Sequence, residues 1–361
     1  MSTSDDTGRV THVPTATASR AVNGDDHARE GARARLQVAM DEHGRHPDWE
    51  AEVIARRRKE VIGLLYTECT ARRQDVEDTK VIYEDELLRG VNRVASELGW
   101  SVLVTFWAGN ADQDLRRLAA ISEKVDGMLV STGSFPPRLL EWLASQVPVT
   151  VIAGNPAETK VDVVTADNRS GSSAVVTHLI EDHGKRRIYH VDGPPDMPDA
   201  AQRRIGLQQA LRDHPAARLV GTTAGSFYVE GGLAAGRRIL ADSRDDLPDA
   251  VVAANDQVAI GVLRSFTAAG VRVPEQVAVV GFDDIYHGVA CEPPLTTVHQ
   301  PMRLLGERAC GRLLERIAAP SLPHRVDLLP TELVLRRSCG CTPSAPSAVP
   351  SNAGTLRPLR P

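Results

Sequence analysis

The chain has 361 residues, of which 42% are hydrophobic and 25% charged, and its formal net charge is −5. That length favours two or three compact units, and the apolar content supplies a sizeable core. The acidic balance gives no whole-protein attraction to nucleic acid, and no apolar run approaches the ~18 residues of a membrane span. Five cysteines in no regular framework point to a reducing compartment. The polar start MSTSDDTGRV does not read as a signal peptide. A soluble, cytoplasmic protein with no membrane contact is expected.

Residues 1–60 are polar and rich in Arg, His, Asp and Glu. From VIGLLY (61–66) onward, strand and helix patterns alternate. VIGLLY reads as a buried strand. In EDELLRGVNRVASELG (84–99), Leu87, Leu88, Val91, Val94, Ala95 and Leu98 recur at helical spacing, and Gly99 closes the helix. The cycle repeats through SVLVTF, DQDLRRLAAISEK, VDGMLVST, PPRLLEWLASQ and VPVTVIA. A second series begins near Asp167 with the helix SGSSAVVTHLIEDHG and the strand RRIYHVDG. It continues through DAAQRRIGLQQALRDH, ARLVGTTAG, YVEGGLAAGRRILADS, DAVVAAND, QVAIGVLRSFTAAG and VAVVGFDD. Fully apolar strands between amphipathic helices imply parallel sheets covered on both faces. Two such series predict an α/β protein with two doubly wound lobes. The proline-rich end, 341–361, reads as a disordered tail. The charged segment 67–82 has room to overhang a cleft.

Ligands of open parallel sheets bind beyond the carboxyl ends of the strands. That rule selects Asn255 and Asp256 after VVAA, Asp283 and Asp284 after VAVVGF, and Phe227 and Tyr228 in TTAGSFYV. Each has an ordinary alternative as a helix cap or turn former. The motifs of phosphate loops, zinc proteases and serine hydrolases are missing, so no enzyme, no catalytic residue and no cofactor are expected. CGC at 339–341 has metal-ligand chemistry but no second ligand pair nearby in sequence, so no metal site is expected.

Taken together, several stretches resemble the LacI/GalR family of bacterial transcription regulators. They are DNRSGSSAVVTHLIEDHGKRRI, VVAANDQVAIGVLRSFTAAGVRVPEQVAVVGFDD, PPLTTVHQP followed by LGERACGRLLERI, and PTELVLRRSCG, and the likeness runs from about residue 6 to 340. The resemblance implies two periplasmic-binding-protein-like lobes joined by three crossovers near residues 165, 295 and 326. It assigns residues 61–164 with 295–325 to one lobe and 165–294 with 326–340 to the other. An effector, a sugar or similar small polar metabolite, would occupy the cleft and shift its closure. By position, the effector contacts implied are Arg203, Phe227, Asn255 and Asp283, with Asp167 a weaker candidate. Their chemistry suits a polyol: Asp283 accepts from hydroxyls, Arg203 donates in a fork, Asn255 does both and Phe227 packs on an apolar sugar face.

The same resemblance implies an all-α helix-turn-helix headpiece over 1–46, a hinge over 47–60, an operator of double-stranded DNA and a homodimer formed through the lobes. VPTATASRAVNG (13–24) resembles the reading helix. Thr15, Ala16 and Arg20 would face base edges, and Thr17, Ser19 and Asn23 would hold phosphates. Ile54 would serve as the minor-groove wedge. The first helix departs from the family pattern, since DTGRVTHV places Thr7, Gly8 and Thr11 at core positions, and Gly8 costs ~1 kcal/mol there. Asp48 and Glu52 put acids in the hinge, and residues 1–60 carry ten basic and eleven acidic side chains, so little phosphate neutralisation is available. A ligand-responsive regulator, most readily a repressor, is therefore expected to bind DNA weakly or with a partner's help. The alternative is a small-molecule sensor that has lost DNA binding and acts through a protein partner.

Overall fold

The computed structural model describes residues 58–67, 82–107, 111–131, 135–155, 160–242 and 246–342. The expected headpiece with Thr15, Ala16, Thr17, Ser19, Arg20 and Asn23, the hinge wedge Ile54, nearly all of the 67–82 segment and the tail beyond 342 lie outside these residues. The chain order opens with β1 (Val61–Thr67), α1 (Ile82–Glu97), β2 (Ser101–Trp107), α2 (Ala111–Ser122), β3 (Gly127–Ser131), α3 (Pro137–Gln146), β4 (Val149–Ile152) and β5 (Asp162–Ala166). A second series follows: α4 (Asn168–Glu181), β6 (Arg187–Asp192), α5 (Pro198–Asp213), β7 (Arg218–Ala224), α6 (Val229–Asp242), β8 (Ala250–Ala253), α7 (Asp256–Ala268), β9 (Ala278–Val280) and α8 (Tyr286–Val289). The chain ends through β10 (Thr297–His299), α9 (Met302–Ala318), β11 (Val326–Leu329), β12 (Glu332–Val334) and a 3-10 turn (Arg337–Cys339).

The first lobe is built on a six-stranded sheet in the order β11-β5-β4-β3-β1-β2, parallel throughout. Its inner strands β1, β3, β4 and β5 are buried because helices cover both faces, whereas the edge strands β2 and β11 are partly exposed. Ile62, Leu64 and Tyr66 of β1 pack toward α1 and α9, against Leu87, Val91, Leu305 and Leu313. Leu65, between them, turns to the other face with Leu118, Leu140 and Leu143 of α2 and α3. The second lobe carries a four-stranded parallel sheet, β7-β6-β8-β9. Ile188 and Val252 face α4 and α5, whereas Val191, Val251 and Val279 face α6 and α7.

Strand pairing moves two of the expected joints. Thr296 and His299 bridge in parallel to Val280 and Asp283, and β10 pairs antiparallel with β12. The segment after 295 therefore stays with the second lobe up to Gln300. β11 in turn pairs with β5, so the first lobe keeps residues 326–329 and the last joint falls at Pro330 and Thr331. β5 itself, DVVTA, carries an aspartate at its first position and escaped the apolar-run criterion. Asp162 is fully buried because Arg316 of α9 meets it bidentately, Nε to Oδ2 at 2.8 Å and Nη2 to Oδ1 at 3.1 Å. That pair fastens α9 to the sheet from within the core.

α9 also lies unusually close to α1. A Cβ at Gly90 would stand 2.0 Å from the Arg303 carbonyl oxygen, and one at Gly306 would stand 2.2 Å from the Leu87 carbonyl oxygen. Only glycine permits this reciprocal backbone approach. Among the described residues, no helix is long and apolar enough to cross a membrane.

Candidate functional site

Between the lobes lies a cavity of about 510 Å³, within the ordinary size range of small-molecule sites. Its second-lobe wall is formed where the sheet's strands end. Asn255 stands between β8 and α7, Asp283 follows β9, Phe227 follows β7, and Asp199 and Arg203 lie on the first two turns of α5. The first-lobe wall is mostly aromatic and aliphatic, with Tyr66, Tyr83, Leu88, Val104 and Phe106. Gln300, on the crossing segment, completes the lining.

Arg203 is 5% exposed and organises the polar wall. Its Nε donates to Asn168 Oδ1 (2.8 Å), Nη1 to the Ala254 carbonyl (2.7 Å), and Nη2 to Asp283 Oδ1 (3.2 Å) and Gln300 Oε1 (2.8 Å). The guanidinium also lies 3.8 Å from the Phe282 ring centroid, a cation–π arrangement. Four of its five N–H groups thus meet protein acceptors. The fork anchors the wall more than it reaches into the cavity.

Asp283 sits at φ 117° and Asp284 at φ 60°, two consecutive non-glycine residues in the left-handed region. Such backbone is retained only where its surroundings over-determine it. Here Asp256 supplies the restraint. Fully buried, it accepts from Ile285 N (2.9 Å) and from the Thr297 hydroxyl. Burial lifts the Asp283 carboxyl to about 6, against the opposing pull of Arg203. Burial likewise raises Asp199, with Arg203 and the Asn168 amide (2.9 Å) pulling the other way. Asp284 is different: although burial disfavours its charge, His299 and Arg336 hold it below the usual carboxylate range.

Asn255 caps α7 and also lines the cavity. Its Oδ1 caps α7 by accepting from Val258 N (3.0 Å), while Nδ2 donates to the Phe227 carbonyl (3.1 Å). It thereby joins the aromatic loop to the strand ends. Asp167 does not line the cavity. Its carboxylate accepts from Ser170 N (3.0 Å) as the cap of α4, which corrects its assignment as an effector contact. The other four candidates come together.

Most of the remaining lining residues escaped the reading of the sequence, Asp199, Gln300 and Tyr83 among them. Asp199 had a signal, its i,i+4 spacing from Arg203 on one helix face. Gln300 had none, because its role depends on where the crossing segment passes. Tyr83 falls between the charged 67–82 segment and the helix pattern that starts at 84, and no motif marks it. Its hydroxyl is buried and has no hydrogen-bond partner among the described residues. Burial, followed by the nearby Asp199 and Asp283 charges, raises its pKa well above that of a free phenol. A phenol facing that polar wall has a donor to give.

Comparison with known proteins agrees with this architecture. The family described as periplasmic binding protein-like domain matches residues 176–339. The chain is 31% identical to the ribose operon repressor of Escherichia coli, over 91% of its own length and 98% of the relative's. It is 32% identical to the HTH-type transcriptional regulator CelR of Thermobifida fusca, over 89% and 94%. The solved structure of a CelR–cellobiose complex superposes with a TM-score of 0.68 at 28% identity, covering 94% of this chain and all of that one.

Proposed function

The chain belongs to the LacI/GalR family of bacterial transcription regulators, and on that footing we propose that it senses a sugar or similarly polar small metabolite in its cleft and answers by changing its hold on operator DNA. The observation that carries the effector class is the opposition of Tyr83 to Asp283 and Asp199 across the cavity. One wall includes a buried hydroxyl donor with no partner among the described residues, and the other brings the Asp283 and Asp199 carboxylates as acceptors. Aromatic rings, Tyr66 and Phe106 on one side and Phe227 on the other, supply flat apolar surface. A polyhydroxylated ring presents both hydroxyls and an apolar face, so it satisfies both kinds of wall. Two relatives bear this out for themselves: one is named for a ribose operon and another is solved with cellobiose.

In this reading the protein works in the cytoplasm as a homodimeric repressor. Residues 1–46 form the reading headpiece and 47–60 the hinge, with Arg20 on bases and Ile54 in the minor groove. The effector binds the polar wall first, and the aromatic wall closes on it. Closure resets the spacing of two headpieces over their half-sites. Coupling is reciprocal, so operator DNA lowers effector affinity by the same factor as effector lowers DNA affinity.

The test is a gel-shift titration with DNA flanking the protein's own gene, at low salt, with and without pentoses, hexoses and disaccharides. Retardation that one sugar relieves supports the reading. Sugar-dependent thermal stabilisation with no retardation would instead favour the partner-dependent sensor, which the acidic hinge residues Asp48 and Glu52 also suit. Neither retardation nor stabilisation would overturn both.

A further inference from the structure

CGC at 339–341 has no second ligand pair nearby in sequence, but the fold supplies one. His178, in the last turn of α4, and His183, in the loop before β6, meet Cys339 and Cys341 in the second lobe, and none of the four lines the cavity. The four ligand atoms lie within 4.8 Å of one another. His183 Nε2 is 3.2 Å from His178 Nε2, and Cys341 Sγ is 3.5 Å from the first of these rings' Nε2 partners, that of His178, and 3.4 Å from that of His183. We propose that these four residues form a structural zinc site that clamps the C-terminal knuckle of the second lobe to α4.

The three distances among His178, His183 and Cys341 are close to what the chemistry asks, and the cluster's wider spread of up to 4.8 Å contracts on binding. Tetrahedral zinc, at about 2.3 Å from sulfur and about 2.0–2.1 Å from nitrogen, spaces its ligand atoms about 3.3–3.8 Å apart. Two imidazoles and two thiolates are a closed set with no open position, which marks a structural site rather than a catalytic one. His178 Nδ1 lies 2.6 Å from Asp182 Oδ2. Donation to that carboxylate fixes the proton on Nδ1 and leaves the Nε2 lone pair directed at the cluster, the usual support for a metal-bound histidine. Without a cation, two ring nitrogens face each other across 3.2 Å and share one sulfur neighbour, and a single proton satisfies only one such line. A divalent cation takes all the lone pairs at once.

The backbone is shaped for the same purpose. Gly340 adopts φ 111°, and a Cβ there would stand 3.2 Å from His183 Nδ1. Glycine lets the two cysteines fold around the histidine ring. Cys339 and His178 are buried, while Cys341 and His183 are partly exposed, so an ion has a route in. Binding replaces two thiol protons, Zn²⁺ entering as two H⁺ leave. The clamp joins chain segments about 160 residues apart, at Cys341 and His178.

The experiment uses the untagged full-length chain, expressed with added zinc and purified with a phosphine reductant and no chelator. Metal analysis is expected to find close to one zinc per chain. Exchange with Co²⁺ is expected to give the thiolate charge-transfer and intense visible bands of a tetrahedral site. Cys341→Ser and His183→Ala, at half-exposed positions, are each expected to lower metal content about tenfold while circular dichroism stays native. Chelation should lower the melting temperature of the parent, zinc should restore it, and neither should move the variants. Failure to bind zinc or Co²⁺ overturns the proposal. So does metal retained equally by both variants, which would show an adventitious ion.

Discussion

The two walls of the cleft are built on different principles. The second-lobe wall is polar, crowded and already hydrogen-bonded to itself: Arg203 alone ties together Asn168, Ala254, Asp283 and Gln300. The first-lobe wall is mostly rings and aliphatic groups, with Thr67, Glu84, Asp85 and Ser131 at its polar positions and the Tyr83 hydroxyl without a hydrogen-bond partner among the described residues. Phe106 on that wall is 47% exposed, whereas Asp283 and Arg203 are almost sealed. A rigid polar surface orients a ligand with little reorganisation, and a looser apolar surface excludes water when it closes. The lobes therefore divide recognition from closure.

The harshest way to break this contrast is to remove its organiser. Arg203→Met leaves Asp283 and Asp199 buried without their counter-charge. Breaking a buried pair in this way costs about 3–5 kcal/mol, read as a lower urea midpoint, and effector-induced stabilisation should vanish with it. An unchanged midpoint would show that the polar wall is not held by Arg203.

How much of this contrast is legible in the sequence follows from the same difference. The polar wall sits where strands end and helices begin, so its residues appear in short signatures such as NDQ and GFDD, and position alone marks Asn255 and Asp283. The aromatic wall uses side chains that also pattern as core. Tyr66 alternates correctly along β1 and Phe106 along β2, and nothing local separates a cleft-lining ring from a buried one. The parallel lobes were legible from their apolar runs. The ownership of β11 was not, because it depends on which sheet edge β5 leaves open. The histidine–cysteine cluster was hidden for a related reason: its halves meet only after the second lobe closes.

Asp283→Asn is expected to keep the fold, since asparagine tolerates positive φ, and to weaken effector binding by about 1.5–3 kcal/mol through loss of charged hydrogen bonds. Thermal stabilisation by a titrated sugar checks this. An undiminished shift would remove Asp283 from the site.

A pH series sharpens the assignment further. Burial holds Asp283 near 6, above its unfolded value, so between about 4 and 6 the folded state binds more protons than the unfolded one. This group's contribution to the stability of the unliganded protein therefore declines as pH rises through that window. Effector hydroxyls prefer the ionised carboxylate, so affinity should move the opposite way, falling about fivefold between pH 6 and pH 5. Isothermal titration checks it, with Asp283→Asn expected to flatten the profile.

The smallest effects belong to the first-lobe wall. Tyr83→Phe should leave stability unchanged or slightly higher, because a buried unpaired hydroxyl disappears, and should weaken the effector by about 0.5–1.5 kcal/mol. Phe106→Ala should weaken it by a similar amount without altering the melting temperature of the free protein. Equal losses from both walls would erase the division of labour between them.

The return of α9 and β11 to the first sheet sets an order on biosynthesis. Val163 of β5 waits for Val326 as its edge partner. At about 5–20 residues per second, a ribosome needs roughly 8–30 s to deliver it. Throughout that interval the amino-terminal half shows an open sheet edge and an uncovered apolar face to its surroundings, while the other half is being made. The half of the molecule that is translated first is thus the half that finishes late, and nascent chains stalled before Met302 should be the ones that chaperones hold.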